Sequence, residues 1–198
     1  MSFLNLVMMP DFISVISDGQ ITTADNMTQS HFKKFETSPA GFVVGITGFE
    51  QITNRIRKKF FYQPNLTFNQ AKELLQNELD HLKTKQINFG QDLCFNALLA
   101  GFPQSLTGPS EPEAISFHIA QQSIQTKTYH KAAVLSLLPD DIDFNPNKII
   151  IEHLPKHSHA SLSLHVQSLQ RNALYKVAEA SATVNKVVFQ ELIRPSAH

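Results

Sequence analysis

The sequence predicts a layered α+β fold, and three observations carry that prediction. Short β-branched runs bounded by Pro, Gly and Asp fill the first 47 residues and return after residue 93. Between and after them, apolar residues recur at helical spacing in three long stretches. The two kinds of segment come in separate runs, whereas a parallel sheet would need alternating βαβ units. At 198 residues with 42% apolar content, the chain is expected to be one domain spanning 1–198.

Each element has its own signal. "FLNLVMM" (3 to 9) and "DFISVIS" (11 to 17), separated by Pro10, are expected to pair as antiparallel strands in a central sheet. The polar stretch "TADNMTQSHFKKFETSPA" leaves room for short connecting strands before "GFVVGIT" (41 to 47). After Gly48, Ile52, Ile56 and Phe60 fall at four-residue steps, predicting a helix over 50–61. Thr67 and Gln70 form a capping-box pair, and Ala71, Leu75, Leu79 and Leu82 follow, predicting a second helix over 67–85 on the same sheet face. Strands are expected again in "LCFNALLAGF" (93 to 102), at Ile115, Phe117 and Ile119, and in "AAVLSLL" (132 to 138); "NKIIIEHL" (147 to 154) reads as another short strand, with a helix start as the alternative. Leu162, Val166, Leu169, Ala173, Val177 and Ala180 mark one long helix, and "KVVFQELI" (186 to 193) closes the chain as a strand.

Composition excludes several function classes. Seventeen basic residues balance seventeen acidic ones, so no overall field favours nucleic acid or an anionic membrane. The single cysteine, Cys94, cannot close an intramolecular disulfide, and in its apolar strand it reads as core. No apolar run approaches the roughly 20 residues of a membrane span, and the N-terminus has no basic segment of the secretory kind. A cytoplasmic protein is expected. His153, His157 and His159 lie together, but no second ligand cluster accompanies them, so neither a metal nor any other cofactor is expected. Arg55, Arg57, Lys58 and Lys59 form a small basic patch beside Phe60, Phe61 and Tyr62 and read as a solvated helix face or a contact between subunits.

One segment asks a chemical question. "ISVISDGQIT" (13 to 22) leaves the core at Asp18-Gly19, which is a strong turn dipeptide and equally a place for a carboxylate that orients a charged partner. Sixteen residues before Asp18 stands Ser2, sixteen after it Lys34, and fourteen after that Gly48. This spacing resembles that of proteasome β-type subunits, within the N-terminal nucleophile hydrolases, and it needs no gap. "DGQIT" is similar to a segment of the bacterial two-component, ATP-dependent proteasome-like peptidase. "FKKFE" (32 to 36) and "GFVVGITG" (41 to 48) resemble the lysine-containing and glycine-ended segments of proteasome subunits. The clear match covers roughly the first sixty residues, and beyond them the order of elements carries it.

The resemblance implies a four-layer αββα sandwich and hydrolysis of amide bonds in peptides or proteins. Ser2, once Met1 is removed, would be the nucleophile and its free α-amine the base, since an ordinary α-amine titrates at about 7.7–8.0. Lys34 would keep that amine neutral, Asp18 would hold Lys34, and the Gly48 N–H would face the developing oxyanion. Lys34→Ala would then remove activity, at little cost in stability if the pair is partly solvated. The resemblance also implies a homo-oligomer, with Phe60 and Phe61 as contact residues, and it admits an ATPase partner. It further implies a Gly-Ser-Gly stretch, a second C-terminal helix, and an assisting Asp and Ser in the C-terminal half. "AAVLSLLPDDIDFNP" contains no glycine, and Asp140, Asp141 and Asp143 offer three unassigned acids. The alternative is a non-catalytic scaffold or binding protein that kept the fold.

Overall fold

The computed structural model describes residues 2–22, 27–48, 50–89, 95–104, 111–120, 123–155 and 161–195. Strands β1 (Leu4–Met9) and β2 (Phe12–Asp18) form an antiparallel hairpin, with Leu4 opposite Ser17 and Met9 opposite Phe12. They are the central strands of a four-stranded sheet whose edges are β10 (Ala133–Leu137) and β11 (Val188–Ile193), in the order β10-β1-β2-β11. A five-stranded sheet stacks on it in the order β5 (Phe35–Ser38), β6 (Phe42–Thr47), β7 (Phe95–Gly101), β8 (Glu113–Ala120), β9 (Ser123–His130). Every pairing is antiparallel. The two-residue strands β3 (Ile21–Thr22) and β4 (Thr28–Gln29) pair with each other.

Strand alternation builds the layers. Leu4, Leu6 and Met8 on β1, with Ile13 and Val15 on β2, meet Val43, Leu98 and Ala100 of the second sheet in the inter-sheet core. The opposite faces of these strands are also apolar. Val44, Ile46, Leu99 and Phe117 pack under α1 (Glu50–Phe61) and α2 (Phe68–Phe89). Val7, Phe12, Phe3 and Ile16 pack under α3 (Pro146–Ile151) and α4 (Leu162–Ala180). Strands buried on both faces read as continuous apolar runs, and β1, β2 and β6 do. The result is a four-layer αββα sandwich.

The expected hairpin and both N-terminal helices are present. Thr67 and Gln70 make the reciprocal cap: Thr67 N–H donates to Gln70 Oε1 (2.9 Å), and Gln70 N–H donates to Thr67 Oγ1 (3.3 Å). Two expectations are corrected, and one strand was not foreseen. The segment 147–154 holds a helix, not a strand: Asn145 Oδ1 accepts the Asn147 N–H at 3.0 Å and Pro146 opens the first turn, so cap chemistry overrides the β-branched run Ile149–Ile151. That short helix is the second one of the C-terminal half. Strand β9 had no apolar signal, because it is a mostly exposed edge strand paired on one side with β8. Phe60 is not a contact residue: it lies on the buried face of α1 against Phe42, which leaves Phe61 and Tyr62 exposed. The basic patch is largely ion-paired, Arg57 with Glu36, and Lys59 and Arg55 with Glu78. Cys94, His157 and His159 lie outside the described residues, and His153 is exposed.

Candidate active site

The four spaced residues sit at ends of neighbouring elements. Ser2 stands two residues before β1, Asp18 ends β2, Lys34 immediately precedes β5, and Gly48 immediately follows β6. Backbone bonds draw these ends together. Asp18 N–H donates to the Phe3 carbonyl at 3.3 Å, Ile46 N–H to the Lys34 carbonyl at 3.0 Å, and Phe32 N–H to the Gly19 carbonyl at 2.9 Å. The last of these folds the segment before Lys34 onto the Asp18 turn.

Asp18 serves both as a turn residue and as a lysine partner. Its Oδ2 accepts the Gln20 N–H at 2.8 Å, the geometry of an Asx turn. Its Oδ1 accepts the Phe3 N–H at 2.9 Å and lies 2.9 Å from Lys34 Nζ. Lys34 Nζ also donates to the Asp18 carbonyl oxygen at 2.8 Å. The ammonium and the amide nitrogen next to Ser2 therefore share one oxygen, which puts them at most twice 2.9 Å apart. Both charged side chains are buried, 2% and 0% exposed. The pair is not partly solvated, so the expectation of a cheap Lys34 substitution does not apply.

Burial sets the charge of this lysine. Removal from water lowers its pKa from 10.5 to about 8, outweighing the attraction and hydrogen bond of Asp18, while Arg57 pushes in the same direction as burial. Near neutral pH the ammonium is present and can lose its proton within about a unit of pH.

Gly48 turns the chain from β6 towards α1 with φ at 137°, a conformation that side chains with a Cβ rarely adopt. Ser2 is buried, adjacent to Phe3. Gly19 is fixed by crowding: a Cβ there would lie 2.5 Å from the Ser30 carbonyl oxygen and 2.8 Å from Val187 Cγ1.

Of the three unassigned acids, the fold brings Asp141 to this end. Its Oδ1 accepts from Ser181 Oγ at 2.7 Å and its Oδ2 from the Ala182 N–H at 3.2 Å. Gln20 Nε2 donates to the Ala182 carbonyl at 2.9 Å. A hydrogen-bonded chain thus runs from Asp18 through Gln20 to the loop after α4. Asn185 adds a second tie, accepting the Gly19 N–H at 3.0 Å. Sequence reasoning missed Gln20, Ser181 and Asn185, which are ordinary loop residues until the chain folds. Arg57 was noticed only as part of a basic patch.

No protein-family model and no curated protein matches the sequence. Solved structures do match. The chain is similar to eukaryotic HslV from Trypanosoma brucei, at 13% identity and a TM-score of 0.59, over 97% of this chain and 99% of that one. It is also similar to Anbu, an ancestral beta-subunit from Yersinia bercovieri, at 16% identity and a TM-score of 0.66, over 97% of this chain and 81% of that one. The chain has the fold of these structures, the αββα sandwich of the proteasome type. At such identities the likeness concerns the fold, and the chemistry of this proteasome-like chain rests on its own residues. Among the described residues no helix is long and apolar enough to cross a membrane.

Proposed function

We propose that the chain is a proteasome-like hydrolase of amide bonds in peptides, with Ser2 as nucleophile after Met1 is removed. One observation carries the reading: a buried lysine and the backbone beside Ser2 share the Asp18 carboxylate. A buried ion pair is poor evidence of a purely stabilising role, because desolvation offsets much of its attraction. A cation built against a candidate nucleophile has a chemical use. The Ser2 hydroxyl passes its proton to the α-amine as Oγ attacks the substrate carbonyl, and the Lys34 charge favours the neutral amine before attack. The Gly48 N–H stabilises the oxyanion. Collapse of the tetrahedral adduct breaks the C–N bond, the α-ammonium returns its proton to the leaving amine, and water then hydrolyses the ester on Ser2.

The same reading includes a homo-oligomer acting on a peptide or protein substrate in the cytoplasm, with an ATPase as a candidate partner. Phe61 and Tyr62 support the assembly, since they form an exposed edge-to-face pair. Light scattering that shows a strict monomer at high concentration would count against it.

Intact mass and turnover of fluorogenic peptide amides test the chemistry together. The expected result is protein lacking Met1 that turns over the peptides, with Ser2→Ala and Lys34→Met inactive. Cellular protein with Met1 fully retained, or a Ser2→Ala variant as active as the parent, overturns the mechanism and favours the scaffold.

A further inference from the structure

We propose that Arg57 is a positioning residue of this site: it clamps the lysine-bearing segment onto α1 and acts on the Lys34 charge by repulsion. The contacts show how. Lys33 and Phe35 turn to one side of the segment, where the Lys33 ammonium lies 4.6 Å from the Phe35 ring centroid and pairs with Glu191 of β11. Phe32 and Glu36 turn to the other side, towards α1. There the Arg57 guanidinium stacks 4.7 Å from the Phe32 ring centroid, and its Nε donates to Glu36 Oε1 at 3.0 Å. Phe32 and Glu36 flank Lys34 at two residues on either side, so one guanidinium spans the lysine's position. Both members of the Arg57–Glu36 pair are mostly buried, 15% and 16% exposed, so solvent screens them little.

Arg57 also lies on the helix that begins two residues after Gly48. Its hold on Phe32 and Glu36 therefore fixes the lysine segment against the strand-to-helix corner. The charges facing Lys34 are Asp18 from β2, which favours the protonated lysine, and Arg57 from α1, which disfavours it in the same sense as burial. Glu36 is engaged by Arg57, and Lys33 by Glu191. A lysine with one carboxylate partner and no second cation would hold its proton more tightly than this one does.

The inference deepens the proposed function, but its decisive test does not depend on turnover. In protein labelled at lysine side chains, the Lys34 titration is followed by NMR in the parent and in Arg57→Gln, Arg57→Lys and Glu36→Gln/Arg57→Gln. Arg57→Gln is expected to move the Lys34 midpoint upward, the direction for removing a like charge. Arg57→Lys, which keeps the charge and loses the stacked fork, should stay near the parent value. The double variant removes both members of the pair, leaves no buried carboxylate stranded, and should also move upward. An unchanged midpoint in both neutral variants, with far-UV circular dichroism intact, overturns the electrostatic role, as does an Arg57→Lys midpoint equal to that of Arg57→Gln. If the parent hydrolyses no peptide, the proposed function fails while the titration still decides the role of Arg57. If it does, the pH–rate profile of Arg57→Gln should shift in the same direction as the midpoint.

Discussion

Replacing Asp18 by Asn removes the lysine's counter-charge with almost no change in volume, and its cost can be bounded from the structure. Lys34 cannot lose more at pH 7 than the free energy of shedding its proton. Its pKa in the folded protein is about 8, one unit above that pH, so this part of the cost is capped at about 1.4 kcal/mol. The second part is hydrogen bonding. Asp18 accepts from both the Phe3 and Gln20 N–H groups, whereas Asn has one acceptor oxygen and turns an amide NH2 towards the other donor. Leaving one buried donor unsatisfied costs about 1–3 kcal/mol. The sum is about 2–4 kcal/mol at pH 7, or a fall in Tm of roughly 4–16 °C for a chain of this length. At pH 9 the parent lysine is already mostly neutral, so only the hydrogen-bond part should remain. Urea unfolding followed by far-UV circular dichroism, at both pH values and with a shared m-value, measures the two parts separately. A cost below about 1 kcal/mol at pH 7, or equal costs at the two pH values, would refute a buried lysine that titrates against Asp18.

Other outcomes follow from the same geometry. Below about pH 8 the folded and unfolded states both hold the Lys34 proton. Between about 8 and 10.5 the unfolded state holds more of it, so parental stability should gain on the order of 3 kcal/mol across that window relative to Lys34→Met, as measured by paired denaturant titrations. Gly19→Ala sets a Cβ against a backbone carbonyl that cannot yield, and should cost about 1–3 kcal/mol in chemical denaturation; a neutral effect would show that the turn is looser than described. Gln170→Leu should cost about 1–3 kcal/mol, because Gln170 Oε1 accepts from Ser14 Oγ at 2.6 Å and its Nε2 donates to Asn5 Oδ1 at 2.8 Å, and all three residues are fully buried; thermal melts at fixed pH read it.

Much of this molecule is local and therefore legible in one dimension. Apolar runs long enough to be buried on both faces announced β1, β2 and β6, and the reciprocal Thr67–Gln70 cap announced α2, since each signal acts within a few residues. The spacing of Ser2, Asp18, Lys34 and Gly48 was readable through its resemblance to proteasome subunits, and the β1–β2 and β5–β6 hairpins each return their flanking pair to one end. The sequence offered a turn and a lysine partner as alternatives for Asp18, and in the structure its carboxylate does both.

Long-range contacts decided the rest. Whether Lys34 was solvated or buried depended on its segment packing onto the Asp18 end of β2, and that burial is what lowers its proton affinity. The choice of Asp141 among three neighbouring acids was made by Ser181 and Ala182, some forty residues later, and Arg57 gained a role only when α1 laid it across Phe32 and Glu36. Strand β9 carries no apolar face because an edge strand is held by its backbone ladder, which any side chains can supply. The sequence by itself determined the strands and helices whose signals are local, with α3 and β9 the exceptions, and it set the spacing of the residues that meet at one end of the sandwich. Tertiary structure alone decided their burial, partners and charge, because desolvation and Coulomb forces depend on distance in space and not on separation along the chain.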